Sequence, residues 1–158
     1  MMGIAIKEIM TTSVIAVPAT MPVKDVATLL SEKRITGVPV VDEEGRVVGV
    51  LSEFDIISRQ GATAAHIMSP DVISASADTD AGEVAHLLTD RRIRRVPILQ
   101  DDRLIGIVSR SDMMRLFMVT RWMCENCGYF ERGFDRPAQC SSCGSDRIVL
   151  QREPHVQS

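Results

Sequence analysis

GVPVVDEEGRVVGVLSEFD (Gly37–Asp55) and RVPILQDDRLIGIVSRSD (Arg95–Asp112) are one pattern written twice. Each passes an apolar strand through a Val-Pro pair, turns on acidic residues, returns as a second apolar strand, and closes on Ser-x-x-Asp. Outward from there, residues 9–59 are matched by residues 67–117. At an offset of 58, Ile9–Met10 meets Ile67–Met68, Leu29–Leu30 meets Leu87–Leu88, and Val38–Pro39 meets Val96–Pro97. Gly45 has no counterpart, so the offset falls to 57 for Gly49/Gly106, Ser52/Ser109 and Asp55/Asp112. A repeated core pattern signals a duplicated fold. A repeated Ser and Asp at a strand end suggests that a binding site was duplicated with it.

The pattern predicts the same elements in each copy. VIAV (Val14–Val17) and VISA (Val72–Ala75) read as short strands. Helices follow, with Val23, Val26, Ala27 and Leu30 on one face of the first and Val84, Ala85 and Leu88 on one face of the second. Thr20 and Asp78 are the expected N-caps, with Pro22 in the first helical turn. Next come strands at Gly37–Val41 and Arg95–Leu99, then Arg46–Leu51 and Arg103–Val108, each feeding a helix that begins at the Ser-x-x-Asp. One β-α-β-β-α copy of about 50 residues is too small to be comfortable alone. Two copies packed sheet to sheet would bury a common core, which makes the fold class α+β. RQGATAAH (59–66) reads as a short linker with a Gly break.

Bulk composition narrows the function. The 158 residues are 45% hydrophobic, enough for a real core, and net charge is −3, so nothing global advertises nucleic acid or an anionic membrane. No apolar run approaches the ~20 residues of a spanning helix, and Lys7 and Glu8 interrupt the place where a signal peptide would be apolar. The expectation is a cytoplasmic protein without a membrane partner. The cysteines are Cys124, Cys127, Cys140 and Cys143, with none in the first 123 residues. A disulfide framework would spread them across the fold, whereas two close pairs at one end point to metal.

Paired β-α-β-β-α units with Val-Pro strands and Gly-x-x-Ser-x-x-Asp endings resemble tandem CBS domains, the Bateman module. The resemblance covers residues 9–117 and implies a pseudo-twofold pair with two clefts for adenosine-containing ligands such as AMP, ATP or S-adenosylmethionine. The chemistry agrees. A helix opening directly after a strand turns unsatisfied N–H groups and a positive dipole end toward a phosphate. Ser52 or Ser109 can add a hydroxyl, and Asp55 or Asp112 can accept from a ribose diol as an acidic residue does in dinucleotide folds. The blander use of the same residues is a capping box. The resemblance also implies that a basic residue just before the Val-Pro strand reaches the phosphates. That position is Arg95, with Arg94 beside it, within the run Arg91, Arg92, Arg94, Arg95. The first copy has Lys33, Arg34, Thr36 and Gly37 there, so the second cleft is the better phosphate site. His66 and His86 read as linker and helix-surface residues.

The stretch WMCENCGYFERGFDRPAQCSSCGSD (122–146) sets two Cys-x-x-Cys-Gly turns twelve residues apart. Each presents two thiolates to one ion, and glycine accepts the tight turn that N–H···S bonds need. Cys124, Cys127, Cys140 and Cys143 together make a tetrahedral site for one Zn²⁺ or Fe²⁺/Fe³⁺. Few apolar residues surround it, so metal and folding should be coupled, with Trp122, Tyr129 and Phe130 as the small core. The stretch is similar to the rubredoxin-like tail of rubrerythrins and to zinc ribbons, and the whole layout resembles archaeal CBS proteins with a C-terminal metal-binding domain. The Glu-x-x-His pairs of a ferritin-like di-iron domain are absent, which excludes full rubrerythrin chemistry. The ribbon follows Phe117 without a Pro/Ser-rich spacer and is expected to dock on the repeats.

The expected organisation is a first CBS domain over 8–64, a second over 66–120, a metal ribbon over 121–152 and a frayed tail over 153–158. The leading function is a non-enzymatic regulator that senses an adenine nucleotide. It would form a homodimer through the CBS helices, as the resemblance implies, and pass the signal to an unknown regulated protein. One alternative is an iron-dependent redox carrier or iron sensor. Another is a nucleic-acid-binding zinc ribbon, against which the ribbon's charge speaks, with five arginines facing five acids from Arg121 onward. No Ser–His–Asp set, phosphate loop or open His/carboxylate metal site suggests catalysis.

Overall fold

The computed structural model describes residues 1–153. It forms two compact units, one of Thr12–Ser74 with Pro97–Ile107, the other of Met1–Thr11, Ala75–Val96 and the described residues from Val108 on. In the first repeat, β1 (Val17–Pro18) pairs in parallel with β2 (Gly37–Val41), which pairs antiparallel with β3 (Val47–Ser52). The helix α1 (Val23–Lys33) buries Val26 and Leu30, and the short α2 (Glu53–Ser58) opens from Ser52. Val17, Val26, Leu30, Val38, Val40, Leu51, Ala64 and Ile67 form the core of this unit.

The linker is not plain loop. Ala64–Ile67 forms a helical turn, α3, because Ala64 and Ile67 are both fully buried in that core. Ser69 then bridges Val50 with backbone bonds in both directions, 2.9 and 2.8 Å. A Cβ at Gly49 would sit 2.9 Å from the Ser69 carbonyl, so the glycine is what lets this segment lie flat on β3.

The second repeat supplies β4 (Ala75–Ser76), α4 (Ala81–Asp90), β5 (Arg95–Gln100), β6 (Arg103–Ser109) and α5 (Arg110–Val119), with sheet order β4-β5-β6. The N-terminal residues pack on it. Ile4 and Ile6 are buried, Ile6 N–H donates to Thr79 O (2.8 Å), and Ala81 N–H donates to Ile4 O (2.8 Å). The bridge Ala5–Asp80 here is the counterpart of Pro22–Thr63 in the first unit. The segment ahead of each Val-Pro repeat was therefore duplicated too, and each lies on the other repeat's helix.

Two expectations need correction. The strands open at Val17 and Ala75, not at Val14 and Val72. In the parallel ladder Ala19 N–H donates to Val41 O; continued downward, the donor due to Ile15 would be the N–H of position 39, and proline has none. Pro97 stands at the same place in the second copy. The caps also sit two residues later. Asp80, not Asp78, caps α4 by accepting from Gly82 N–H at 2.9 Å, while Asp78 pairs with Lys7 at 2.9 Å. Pro22, not Thr20, occupies the N-cap of α1 and makes no side-chain cap bond.

The ribbon is a three-stranded sheet with order β8-β7-β9, built from β7 (Thr120–Cys124), β8 (Phe130–Glu131) and β9 (Ile148–Arg152). It continues from α5 without a break and docks on the second repeat, as expected. Phe134 packs against Phe117 with ring centroids 5.9 Å apart, His86 meets Asp135 at 2.7 Å, and Arg152 reaches Glu8 at 3.4 Å. A Cβ at Gly82 would fall 2.8 Å from the Phe134 carbonyl, so the ribbon loop comes to rest on the first turn of α4. Gln151 and Arg152 belong to β9, and Glu153 pairs with Arg132 at 3.0 Å. The rest of the expected tail, 154–158, lies outside the described residues.

Candidate functional site

Both Ser-x-x-Asp turns fold alike. Ser52 and Ser109 sit in extended backbone at the end of β3 and β6, and their hydroxyls accept from Asp55 and Asp112 N–H at 3.3 and 3.4 Å. In return Oδ2 of Asp55 accepts the N–H (2.9 Å) and hydroxyl (3.0 Å) of Ser52, and Oδ2 of Asp112 accepts those of Ser109 (2.8 and 3.1 Å). These are complete capping boxes. Both carboxylates are buried, at 7% and 5% exposure, so leaving them unpaired would be costly.

The box uses only one oxygen of each carboxylate. Oδ1 of Asp55 faces Arg59 at 3.7 Å, and Oδ1 of Asp112 is paired with Arg115. Arg59 also donates to the Met68 carbonyl at 3.1 Å, joining the first turn to the linker. Sequence reasoning missed both arginines. They stand at i+4 and i+3 from their aspartates and do not align between copies, so the repeat pattern could not expose them. The nearest signal is the helical spacing of an acid and a base.

The other expected residues come to the same places. Thr36 O accepts Glu53 N–H at 3.0 Å, and Gly37 is the register partner of Ser52. Arg94 O accepts Arg110 N–H at 3.1 Å, and Arg110 Nε donates to Ile93 O at 3.1 Å, which gathers Arg94, Arg95 and Arg110 beside Ser109. The first N–H groups of α5 are thus largely spoken for, and an anion there would meet guanidinium groups rather than open helix dipole. Arg34, Thr36 and Glu53 also line a groove of about 420 Å³ between α1 and α2, with Leu30, Ile35 and Ile56 as its apolar wall. Phe54 and Ile57 on α2, and Met114 and Met118 on α5, are exposed.

The four sulfurs of Cys124, Cys127, Cys140 and Cys143 lie within 4.8 Å of one another. Cys124–Cys143 and Cys127–Cys140 are each separated by 3.6 Å. Four sulfurs at ~2.3 Å from one tetrahedral ion stand roughly 3.8 Å apart, so the set fits a metal. Gly128 and Gly144 take left-handed φ of 79° and 78°, and their N–H groups close the knuckles on Cys124 O and Cys140 O, both at 2.9 Å. Cys124 and Cys140 are buried, Cys127 and Cys143 exposed.

Polar contacts divide the thiols. The Asn126 side-chain amide donates to Cys143 Sγ at 3.4 Å and, with the Ser145 N–H, draws that thiol down to about 6. N–H groups of Cys143 and Ser142 lower Cys140. At Cys127 the Tyr129 N–H favours the thiolate, but desolvation and sulfur hydrogen bonds from its three neighbours outweigh it and push the thiol up to about 11. Asn126 was not anticipated, because a donor reaching across the centre leaves no spacing rule in the sequence. Trp122 is buried as expected and donates to Gly133 O at 3.1 Å. Tyr129 and Phe130 are not core, being 44% and 47% exposed. Phe130 pairs with Met123, on the face of β7 opposite Trp122 and Cys124, and lies under Arg121 at 4.5 Å.

Two β-α-β-β-α repeats with matching capped helix starts define a tandem-repeat module, followed by a ribbon whose four cysteines could hold a metal ion. The CBS-domain family model matches residues 6–61 and 64–119, and the chain belongs to that family. The chain is 29% identical to the CBS domain-containing protein YhcV of Bacillus subtilis, over 69% of this chain and 82% of that protein. It is 31% identical to L-aspartate semialdehyde sulfurtransferase of Methanocaldococcus jannaschii, over 71% of this chain but only 23% of the enzyme. Among solved structures it resembles CBSX2 of Arabidopsis thaliana in complex with AMP, with TM-score 0.70, 28% identity, and coverage of 73% and 97%. The CBS domain pair of protein MJ0100, in complex with 5'-methylthioadenosine and S-adenosyl-L-methionine, matches with TM-score 0.67, 30% identity, and coverage of 73% and 96%. Among the described residues no helix is long and apolar enough to cross a membrane.

Proposed function

We propose that this chain is an adenine-nucleotide-sensing regulatory protein, not an enzyme, that works in the cytoplasm. The carrying observation is the duplicated Ser-x-x-Asp turn, in which a buried carboxylate spends one oxygen on its cap and keeps Oδ1 for exchange between an arginine and a ligand. A ribose diol would take Oδ1 of Asp112 from Arg115, or of Asp55 from Arg59, while Ser109 or Ser52 holds the turn. Arg95 and Arg94 would meet the phosphates in the second cleft, and Thr36 and Gly37 would line the first. The AMP complex of CBSX2 and the adenosine-ligand complex of the MJ0100 pair support the ligand class.

The domains in this reading are 8–64, 66–120 and a ribbon over 121–152, with a homodimer formed through the exposed helix faces around Phe54, Ile57, Met114 and Met118. The ribbon holds one Zn²⁺ or iron through Cys124, Cys127, Cys140 and Cys143. When bound, the ion ties two knuckles into one fold. Because α5 runs from Asp112 into the strand bearing Cys124, ligand at the second turn and order in the ribbon share one rigid element. A ligand shifts such an element only by binding one arrangement better than the other. The test is thermal stabilisation by AMP, ATP or S-adenosylmethionine, lost when Asp112→Asn and Asp55→Asn are combined. No response to any adenylate would overturn it.

Iron in the ribbon would favour a second reading, a redox carrier or iron sensor, since the paired knuckles present S4 ligation with two exposed sulfurs. Red protein from anaerobic purification would carry it; colourless protein with stoichiometric zinc would remove it.

A further inference from the structure

The two clefts differ in charge at equivalent positions. In the second repeat Arg91 and Arg92 follow α4, Arg94 and Arg95 lead into β5, Arg110 opens α5, and Arg115 pairs with Asp112. The same positions in the first repeat are Lys33, Arg34, Thr36, Gly37, Glu53 and Ser58. The largest reversal is Arg110 against Glu53. Both are the first residue of their helix, both donate their N–H to the residue before the Val-Pro strand, at 3.1 and 3.0 Å, and both are exposed. Arg110 is held by Ile93 O over the segment that bears Arg94. Glu53 stands on the wall that also carries Thr36 and Arg34.

We propose that the clefts divide adenosine ligands by charge, the second taking a phosphorylated nucleotide and the first a phosphate-free adenosine derivative whose substituent is cationic, with Glu53 as its counter-charge. The proposal rests on the adenosine-sensing reading above. A dianionic phosphate at the first turn would face Glu53 and Asp55, with Lys33, Arg34 and the Asp55-paired Arg59 in opposition. At the second it would face three nearby guanidinium groups. A sulfonium or ammonium substituent reverses both preferences. Two clefts of opposite preference make the pair a comparator of two ligands rather than a double reader of one.

Titration calorimetry of the full chain with AMP and with S-adenosylmethionine tests the division. Asp112→Asn should abolish AMP binding and leave S-adenosylmethionine binding, and Asp55→Asn should do the reverse. Each change keeps the side chain's size and its acceptor for the cap. Glu53→Arg should weaken S-adenosylmethionine about fivefold or more, and Arg110→Glu should weaken AMP about tenfold, as expected for reversing one charge at the rim of a solvated site. If both ligands bind but compete for one cleft, or Glu53→Arg leaves S-adenosylmethionine unchanged, the division falls and the adenosine reading stands. If neither ligand binds, both fall.

Discussion

The two repeats share their strands, their capping boxes and their buried aspartates, yet they are stabilised in different ways. The first repeat closes on an apolar core whose members, from Val17 to Ile67, include the linker helix α3. The second buries an apolar set of its own, with Ile4, Ile6, Val84, Val96 and Val108 at 0–2% exposure, and adds polar and ribbon contacts to it. Asp80 gathers three backbone N–H groups, the N-terminal strap lies over α4, and the four-cysteine ribbon docks through Phe134 and Asp135. A duplicated fold therefore does not imply duplicated energetics. The copy that carries the ribbon adds places, the four cysteines, Asp80 and His86, where metal, charge and pH can act on its stability.

Metal removal should break the comparison most strongly. Structural zinc in small ribbons is worth about 10–16 kcal/mol of apparent binding energy, which is their folding energy. Chelation, or Cys140→Ser, is expected to unfold the ribbon and fray the end of α5. Hydrogen exchange should then show protection lost over 120–152 and kept at Val26, Val38 and Leu51 in the first unit. Retained protection in the ribbon would mean that its docking on α4, not the ion, holds it.

Asp80→Ala comes next. It strips the acceptor from Met2, Gly3 and Gly82 N–H, at 3.0, 2.8 and 2.9 Å. The expected loss is about 2 kcal/mol, the upper end for an N-cap. Burial alone would raise this carboxyl, but the three N–H donors outweigh it and hold the pKa below 3.8. The sign follows from that depression: the contribution is present above the unfolded value and is lost as pH falls through the lower folded one. Pro22, the equivalent residue in α1, makes no cap bond, so Pro22→Ala should cost far less in the same denaturation experiment. Equal losses would erase the distinction between the repeats.

The parts legible in the sequence were those governed by local period and spacing. GVPVV became β2 over Gly37–Val41 as read, and the Cys-x-x-Cys pairs came together at metal distance. The misreadings share a cause, which is that the deciding partner is distant in sequence. Val14–Ala16 looks like strand until Pro39 denies it a donor. Asp78 and Asp80 are equally good caps on paper, and only the Met2–Gly3 strap selects the second. Asn126, Arg59 and Arg115 carry no repeat signature, so only the folded chain sets their places beside Cys143, Asp55 and Asp112. Phe130 flanks the cysteine cluster in sequence but pairs with Met123 on the other face of the sheet, because neighbouring residues of a strand face opposite sides. Tyr129 lines the small cavity beside Cys124 and Cys140 yet stays 44% exposed.

The smallest expected effect is the one that marks the second repeat as pH-sensitive. His86 on α4 bonds Asp135 of the ribbon, and that bond, with the charge of Asp135 and then of Asp90, raises the imidazole above 6.5 despite slight desolvation and the N-terminal amine. A raised folded pKa stabilises fully below the unfolded value, and the contribution disappears as pH climbs through the folded one. Both side chains are more than half exposed, so solvent screening limits the pair to a few tenths of a kcal/mol. Between pH 5.5 and 8.5 the wild-type chain should lose that increment of ribbon docking, read as faster exchange at residues 133–136. His86→Ala should start at the high-pH value and stay there. A mutant that kept the wild-type pH slope would assign the sensitivity elsewhere and leave the ribbon held by Phe117, Phe134 and the close approach at Gly82 alone.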